Sequence, residues 1–330
     1  MSLRFSWLYG ILVRVQPGSK LRGTVGLVLG LSIVLASSAC LNAGKEPANV
    51  SLETNLIQGE VRWPATAEIE PVYIFGFDRR LEPKEDVRIY SGLLQYLENE
   101  TGYKFRLHVT PKAGSLVHEI LAEQVDFAIA GTLTYLQVRE VSAATMLVCG
   151  LNSNGEGSYR SLIVSRPESD LRSLRDLEGR TFAFGASNST QGYLIPRIMM
   201  SQAGIELGDL QSHEFTKSHF ETSNAVISGR VDAGALQDTL GRTLAEQGLV
   251  RIIAQSDPFP SSGIIAGAHV PAEVADAVQQ ALLAFNPKRL NGLELYHWER
   301  TEMPNGFGLV VDSAYDDLRH WARMYGLLQP

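Results

Sequence analysis

From Val72 to the end of the chain, short apolar runs alternate with longer amphipathic stretches, and this alternation constrains the fold more than any other feature. Runs such as Val72–Phe77 and Phe127–Ala130 have the length of buried strands, whereas Val87–Glu100 carries apolar residues at helical spacing. Strands separated by helices are typical of α/β layers, so the sequence predicts helices packed on mostly parallel sheets. The other predicted strands are Phe105–Val109, Thr181–Phe184, Ser212–Thr216, Ala233–Leu236 and Val250–Ala254, and the other predicted helices are Leu116–Glu123, Gly192–Ala203, Phe220–Ser228, Leu240–Gln247 and Pro271–Phe285.

Two apolar runs, Ser161–Ser165 and Arg251–Ala254, lack the alternating polarity of a strand with one buried face. Each lies between blocks of strands and helices, so we interpret them as crossings between two lobes. The predicted fold has a ligand cleft where the strand ends of both lobes meet. Lobe 1 is predicted to contain residues 70–162 and 255–330, and lobe 2 residues 163–254.

The N-terminal region reads as an export signal followed by a tether. Gly23–Ala39 is uncharged, follows Lys20 and Arg22, and ends in small residues, as secretory signals do. A spanning helix is the weaker interpretation, because 17 residues are fewer than the ~20 that a bilayer requires. Cys40 follows directly and resembles the acylated cysteine of a bacterial lipobox, although Ser37 stands where leucine is usual; simple cleavage and an uncleaved anchor are the alternatives. We therefore predict residues 1–39 as signal peptide, residues 40–69 as a polar tether, and an extracytoplasmic location.

Charge and cysteine content exclude several kinds of protein. The net charge is −7, and residues 1–40 hold four basic residues and no acid, so the remainder carries −11. A body this acidic repels a phosphate backbone, which argues against nucleic-acid binding. If Cys40 is acylated, Cys149 has no disulfide partner, and its apolar surroundings predict a buried structural thiol. The histidines have no ligand-spaced pair, so neither a metal nor a cofactor is expected.

The segment Ser187–Tyr193 is the strongest candidate for a binding site in the sequence. It follows the strand Thr181–Phe184 and opens a helix, so it combines the hydroxyls of Ser189 and Thr190 and the amide of Gln191 with free backbone N–H groups and the positive end of the helix dipole. Such a turn can hold a tetrahedral oxyanion without arginine or metal. An ordinary Ser/Thr helix cap is the alternative.

Other polar residues occur at comparable strand-to-helix junctions, and in a two-lobed α/β protein these junctions would converge on one cleft. His219 stands at a predicted helix start, although a capping or surface histidine is an equally ordinary interpretation. The remaining candidate ligand-binding residues are Tyr159, Gln237, Asp238, Thr132 and Tyr135.

Taken together, the ordered motifs resemble the phosphate, phosphite and phosphonate solute-binding proteins of ABC importers, over nearly all of Val72–Leu328. The stretches that carry the resemblance are EQVDFAIAGTLTY (Glu123–Tyr135), SYRSLIV (Ser158–Val164), LRDLEGRTFAF (Leu174–Phe184), STQGYLIP (Ser189–Pro196), SHFETSNAVISGRVDAGALQD (Ser218–Asp238) and SDPFP (Ser256–Pro260).

The resemblance implies a type II periplasmic-binding fold, two lobes closing on the ligand, and a permease as partner. It also implies that phosphoryl oxygens are held by the turn at Ser189, Thr190 and Gln191 together with Tyr159 and His219. Gln191 replaces the last serine of the family's turn, and Ala113 stands beside Lys112 where members often have an aromatic residue. Aminophosphonate binders carry an acid after the Pro-x-Pro turn, where this chain has Ser261 and Ser262. An amine without a carboxylate is poorly satisfied in a closed cleft, so phosphite, phosphate or methylphosphonate is favoured over 2-aminoethylphosphonate.

Three alternatives remain open at the level of sequence. The same fold can serve as a sensor that signals to a membrane kinase, or bind another anion such as a sulfonate or an organic carboxylate. Ser189, His219 and Asp238 are the residue types of a hydrolase, but no Gly-x-Ser-x-Gly elbow is present. The favoured prediction is a monomeric, non-enzymatic importer receptor that touches the membrane only through its lipid anchor.

Overall fold

The computed structural model describes residues 71–78, 83–111, 114–289 and 295–328. The predictions for the signal peptide, Cys40, the tether, Lys112 and Ala113 fall outside these residues. The strands are β1 (Val72–Phe77), β2 (Lys104–His108), β3 (Phe127–Ala130), β4 (Thr145–Gly150), β5 (Ser158–Tyr159), β6 (Ser161–Ser165), β7 (Thr181–Phe184), β8 (Ser212–Phe215), β9 (Ala233–Gln237), β10 (Arg251–Gln255), β11 (Phe259–Pro260), β12 (Gly263–Ala266) and β13 (Phe307–Gly308).

Eight α-helices are described, and a five-residue π-helical turn, Thr190–Leu194, leads into the fourth. The first helix buries Tyr90, Leu93, Leu94 and Leu97, which confirms its predicted apolar face. The helices are α1 (Pro83–Thr101), α2 (Leu116–Leu121), α3 (Thr132–Val141), α4 (Ile195–Gln202), α5 (His219–Ile227), α6 (Asp238–Glu246), α7 (Ala272–Ala284) and α8 (Asp316–Met324).

The strands form two large sheets, which give the two lobes of the fold. The first has the order β13-β4-β12-β3-β1-β2 and the second the order β10-β6-β9-β7-β8. The predicted α/β fold with sheets flanked by helices is confirmed, and both sheets are mixed: three adjacent strands in each are parallel, and the remaining strands pair antiparallel. In the first sheet β12 runs antiparallel to both β3 and β4, and in the second β6 runs antiparallel to both β9 and β10. The strand β6 is the one by which the chain first enters the second sheet, and β12 is the one by which it returns to the first.

The runs Ser161–Ser165 and Arg251–Ala254 are not themselves crossings, as the sequence had suggested. They form β6 and most of β10, adjacent strands of the second sheet. Their lack of alternating polarity has a physical cause in β6, where all five residues are buried because helices cover both faces. The crossing is instead made by the short antiparallel pair β5 and β11, which lies just before β6 and just after β10.

Three clusters of buried apolar side chains support this arrangement. One packs α1 and α7 on the first sheet, and another packs α5 and α6 on the second. The third includes Leu133 from α3, Tyr315 before α8, and Ile195 and Phe184 from the second sheet's side. Apolar burial at roughly 25 cal/mol per Å² is the main stabilising term of folding, so the third cluster also holds the two lobes against each other.

Candidate functional site

The carboxyl ends of the parallel strands bring the predicted binding residues to facing sheet edges. In the second sheet β7 is parallel to β8 and to β9, so the turn at Ser189–Gln191, His219 and Gln237 lie at one edge. In the first sheet β1 is parallel to β2 and β3, so Asp78 and Thr132 share an edge. The sheet topology therefore brings these junctions to the strand edges expected from the sequence, whereas their convergence on one ligand cleft stays a prediction.

The turn itself is built by a close approach of two glycines. A Cβ on Gly192 would lie 2.9 Å from the Cα of Gly185, and a Cβ on Gly185 would lie 3.0 Å from the Cα of Gly192. Because real Cβ atoms do not approach backbone so closely, only glycine lets the start of the helix rest on the end of β7. Ser189 caps the turn, and its Oγ accepts a hydrogen bond of 2.9 Å from the Gly192 N–H.

Thr190 and α3 join the two lobes directly. Thr190 is 4% exposed, and its Oγ1 accepts a 2.8 Å hydrogen bond from the Leu133 N–H in the first turn of α3. Next to it, Thr132 Oγ1 shares a 2.9 Å hydrogen bond with the Tyr159 hydroxyl and donates to the Pro260 carbonyl at 3.1 Å. The Thr190 hydroxyl thus faces the positive N-terminal end of α3, which belongs to the other lobe.

Gln191 lies beside Thr190 but faces the crossing. Its Nε2 donates to the Arg160 carbonyl at 2.9 Å, and its own carbonyl accepts from Ser161 Oγ at 2.7 Å. These bonds explain how a bulkier side chain replaces serine here, because the amide satisfies backbone groups at the amino end of β6. Gln191 therefore positions the turn.

Asp238 and His219 begin α6 and α5. The Asp238 carboxylate accepts from the Arg160 N–H at 3.2 Å and from the Thr239 N–H at 2.9 Å. Burial raises the pKa of Asp238, and nearby Glu302 raises it further, although the two backbone N–H groups and Arg242 act in the opposite direction. His219 is half-buried in the first turn of α5, directly after the cap Ser218.

Tyr135 and Gln237 are the remaining residues predicted from the sequence to contact the ligand. The Tyr135 hydroxyl donates to Asp312, and its ring packs edge-on against Tyr315 at 5.2 Å. Burial, followed by the bond to Asp312, raises the pKa of Tyr135. Gln237 closes β9 opposite Ser161 and is the residue before α6, where its side chain makes no capping bond.

Two carboxylates at this edge were missed by sequence reasoning. Asp78 follows β1, and its Oδ2 accepts a 2.7 Å hydrogen bond from the Gly131 N–H just before α3. Glu302 accepts a 2.6 Å hydrogen bond from Ser262 Oγ. The serine pair after Pro260 therefore has a carboxylate beside it from a distant part of the chain, and the sequence argument against an amine-bearing ligand loses its premise. The partner of Asp78 is 53 residues away in the sequence and that of Glu302 is 40 residues away, so no local motif indicates either role.

Neither of two surface cavities coincides with these residues. One, of about 410 Å³, lies beside the crossing and is lined by Cys149, Phe259 and Leu309 among others; the second, of about 380 Å³, lies between Thr145 and Gln279. The first has mainly apolar walls, which suit an oxyanion poorly. Within the described residues, no group of three or more His, Cys, Asp or Glu side chains is arranged to hold a metal, and no helix is long and apolar enough to cross a membrane.

Cys149 is buried, as predicted for a structural thiol. Its Sγ lies 3.6 Å from the Gly308 carbonyl, and burial raises the pKa of the thiol. A thiol with a raised pKa is a poor nucleophile, so Cys149 belongs to the packing of β4.

Comparisons with known proteins agree with this architecture. The chain is 26% identical over 253 residues to the phosphate-import protein PhnD of Mycolicibacterium smegmatis, covering 70% of this chain and 78% of that protein. It is 23% identical over 148 residues to the phosphonates-binding periplasmic protein of Escherichia coli, covering 43% of this chain and 44% of that protein. The fold matches PhnD1 of Prochlorococcus marinus, solved in complex with methylphosphonate, with a TM-score of 0.68 at 16% identity, over 78% of this chain and 98% of that one. The model of the family described as "ABC transporter, phosphonate, periplasmic substrate-binding protein" matches residues 75–305, so the chain belongs to this family.

Proposed function

We propose that this family member captures a small phosphorus oxyanion, namely phosphite, phosphate or a phosphonate, and delivers it to the permease of an importer. The observation that carries the proposal is the bond between Thr190 Oγ1 and the Leu133 N–H, because it places a hydroxyl and a helix N-terminus from opposite lobes at one point. The Thr190 O–H can donate to an oxyanion while its oxygen accepts from the Leu133 N–H. The PhnD relatives, which are described as importing phosphate or binding phosphonates, support the same ligand class.

The proposed contacts to the ligand are Ser189, Thr190, His219 and the main chain of the first turn of α3, whereas the Thr132 O–H donates to the Pro260 carbonyl. Tyr159 and Gln191 position this set through their bonds to Thr132 and to Arg160. Asp238 and Gln237 form the rim of the proposed site. Tyr135 is not among the proposed contacts, because its hydroxyl donates to Asp312. Hydrogen bonds to charged groups contribute roughly 1.5–3 kcal/mol each, so four to six of them exceed the cost of ordering and give about micromolar affinity or tighter.

Lobe closure supplies the mechanism of capture. The sheet topology supports lobes of residues 70–160 with 256–330 and of residues 161–255, a shift of one or two residues from the boundaries expected from sequence, which cut β6. The pair β5 and β11 is the hinge between them. A ligand that bonds both lobes stabilises the closed form, and that form engages the permease.

Two further parts of the proposal concern role and location. The chain acts as a receptor and not as a hydrolase, because Ser189 Oγ caps its own turn and the Asp238 carboxylate accepts from two backbone N–H groups. Acylation at Cys40 would hold this extracytoplasmic protein at the membrane surface, and we propose that it acts there as a monomer.

Calorimetry with a panel of oxyanions tests the proposal, and Gly131 offers a variant that blocks the site. A Cβ at Gly131 would lie 3.4 Å from Asp78 Oδ2 and 3.8 Å from Thr190 Oγ1, and Gly131 has a φ of −64°, so alanine fits the backbone. Its methyl group would fill the space between the two lobes. The panel comprises phosphite, phosphate, methylphosphonate, 2-aminoethylphosphonate and methanesulfonate.

We expect binding of at least one phosphorus oxyanion, weakened about 10- to 200-fold by Gly131→Ala, because one extra methyl group in a binding pocket changes affinity by this amount. Gly208→Ala is the matched control, since a Cβ there meets nothing within 4 Å, and it should bind as the wild type does. Unchanged affinity in Gly131→Ala would show that the ligand binds elsewhere, and the absence of heat with every phosphorus oxyanion would refute the proposed function.

A further inference from the structure

Asp78 is a negatively charged side chain at the point where the oxyanion is proposed to bind. Its backbone N–H continues the ladder from β1 by donating to the Ile129 carbonyl at 3.0 Å, which fixes the side chain at the end of the strand. From there Oδ2 accepts from the Gly131 N–H at 2.7 Å, and Oδ1 accepts from Thr134 Oγ1 at 3.3 Å. The carboxylate therefore lies against the N-terminus of α3.

The carboxylate is close to the oxyanion turn of the other lobe as well. The position of a Cβ on Gly131 lies 3.4 Å from Asp78 Oδ2 and 3.8 Å from Thr190 Oγ1. A ligand oxygen placed beside Gly131, between Thr190 and the first turn of α3, would therefore lie close to Oδ2. An anion bound at this point would have the Asp78 carboxylate as a direct neighbour.

Two oxygens that each carry negative charge repel each other at hydrogen-bonding distance, unless a hydrogen lies between them. An O–H group that meets a carboxylate instead forms a short and strong hydrogen bond. The same carboxylate that opposes a fully deprotonated ligand therefore favours one that keeps a hydrogen on an oxygen.

We infer that Asp78 is a specificity-determining residue, which accepts a hydrogen bond from a P–OH group of the ligand and rejects oxyanions of the same size and charge that have no such hydrogen. The inference rests on the proposed function, because it concerns the same site. It adds that phosphite, phosphate and phosphonates are bound in forms that keep a hydrogen on one oxygen. Sulfonates, which have no such O–H, are excluded by Asp78 itself.

A purely structural role for Asp78, as a cap on α3, makes a different prediction. Removing a cap lowers stability by about 0.5–2 kcal/mol but changes the affinity of all ligands alike. The ratio of two affinities therefore separates the roles, whereas a single affinity would not.

Methylphosphonate and methanesulfonate are the probes. At a pH well below the second ionisation of methylphosphonate, both are monoanions of nearly the same shape, and they differ in the central atom and in the one hydrogen that methylphosphonate keeps on an oxygen. Calorimetry at that pH measures both dissociation constants for the wild type, for Asp78→Asn and for Asp317→Asn. Asp317 is exposed in α8 and serves as the control for a lost carboxylate.

The wild type should prefer methylphosphonate by about 100-fold or more, because a site that hydrogen-bonds a ligand hydroxyl strongly rejects the analogue without it. In Asp78→Asn this preference should fall below about tenfold, chiefly through a gain in methanesulfonate binding, since the amide N–H₂ can donate to a sulfonate oxygen. Asp317→Asn should keep the wild-type ratio. Thermal unfolding of each variant checks that the fold is retained.

Two results would overturn the inference while leaving the proposed function intact: a wild type that binds both probes equally, or an Asp78→Asn variant that retains the full preference. If the wild type binds no phosphorus oxyanion of the larger panel, the proposed function fails and this inference fails with it. The wild-type ratio alone is informative even if Asp78→Asn does not fold.

Discussion

Replacing Thr190 with valine removes one oxygen from the contact between the lobes and leaves the volume of the side chain almost unchanged. The Thr190 hydroxyl is buried and bonded to the Leu133 N–H at 2.8 Å, so it is fixed where the ligand is proposed to bind. Thr190→Val therefore tests the oxyanion turn with little change in packing. Thr243→Val is the matched control, because Thr243 is exposed in α6 and its Oγ1 bonds only the preceding turn, at the Thr239 carbonyl.

The expected magnitude follows from the loss of one charge-assisted hydrogen bond. Such a bond contributes roughly 1.5–3 kcal/mol, which corresponds to a loss of about 10- to 150-fold in affinity. The Leu133 N–H, which loses its acceptor in this variant, can donate to the ligand instead, so no larger loss is expected. Thermal unfolding should shift by only a few degrees, as each 1 kcal/mol changes the midpoint by about 2–4 °C in domains of 150–250 residues.

Isothermal titration with the tightest phosphorus oxyanion of the panel measures the effect, and circular dichroism confirms the fold. Thr243→Val should bind within twofold of the wild type. If Thr190→Val also binds within twofold, Thr190 does not contact the ligand, and the assignment of the turn as the oxyanion site is refuted.

Two other predictions concern a buried carboxylate and the contact between α4 and the C-terminal segment. Burial raises the pKa of Asp238 above its ordinary 3.8. Above this raised pKa the charged carboxylate lowers the free energy of unfolding, and the loss disappears as pH falls toward 3.8, where Asp238 is protonated in both states. The unfolding midpoint of Asp238→Asn relative to the wild type should therefore rise between pH 4 and pH 7; a pH-independent difference would show that the pKa is not raised. Arg197 stacks 3.7 Å from the Tyr325 ring across the proposed lobe boundary, so Arg197→Met should weaken ligand binding about two- to fivefold by destabilising the closed form. Arg88→Met, which removes a 3.8 Å stacking contact with Tyr296 inside lobe 1, should leave affinity unchanged, and equal losses in both variants would contradict a role in closure.

Local sequence patterns were sufficient for many elements of the fold. The strands Val72–Phe77, Phe127–Ala130 and Thr181–Phe184 have the predicted bounds, because each is a short buried run between clear breaks. Pro271 precedes α7 as its cap and is not its first helical residue, a difference of one position. The spacing of apolar residues and the positions of turn-forming residues determine where such strands and helices begin and end, and both are local properties of the sequence.

Features that depend on distant partners could not be obtained in this way. Strand direction in the mixed sheets depends on where the chain re-enters, and Ser161–Ser165 looked like a crossing because burial on both faces removes alternation. In the site, the sequence indicated the turn at Thr190 but not its partner Leu133, 57 residues away. Asp78 and Glu302 were missed for the same reason, since no motif surrounds either.

The position of the phosphorus atom in a crystal structure of the complex, grown with methylphosphonate or whichever panel member binds most tightly, tests the central claim most directly. The account predicts that ligand oxygens lie within about 3 Å of Thr190 Oγ1 and of main-chain nitrogens in the first turn of α3, with one oxygen facing Asp78. Phosphorus found in the apolar cavity beside Cys149, or on one lobe without contact to the other, would contradict it.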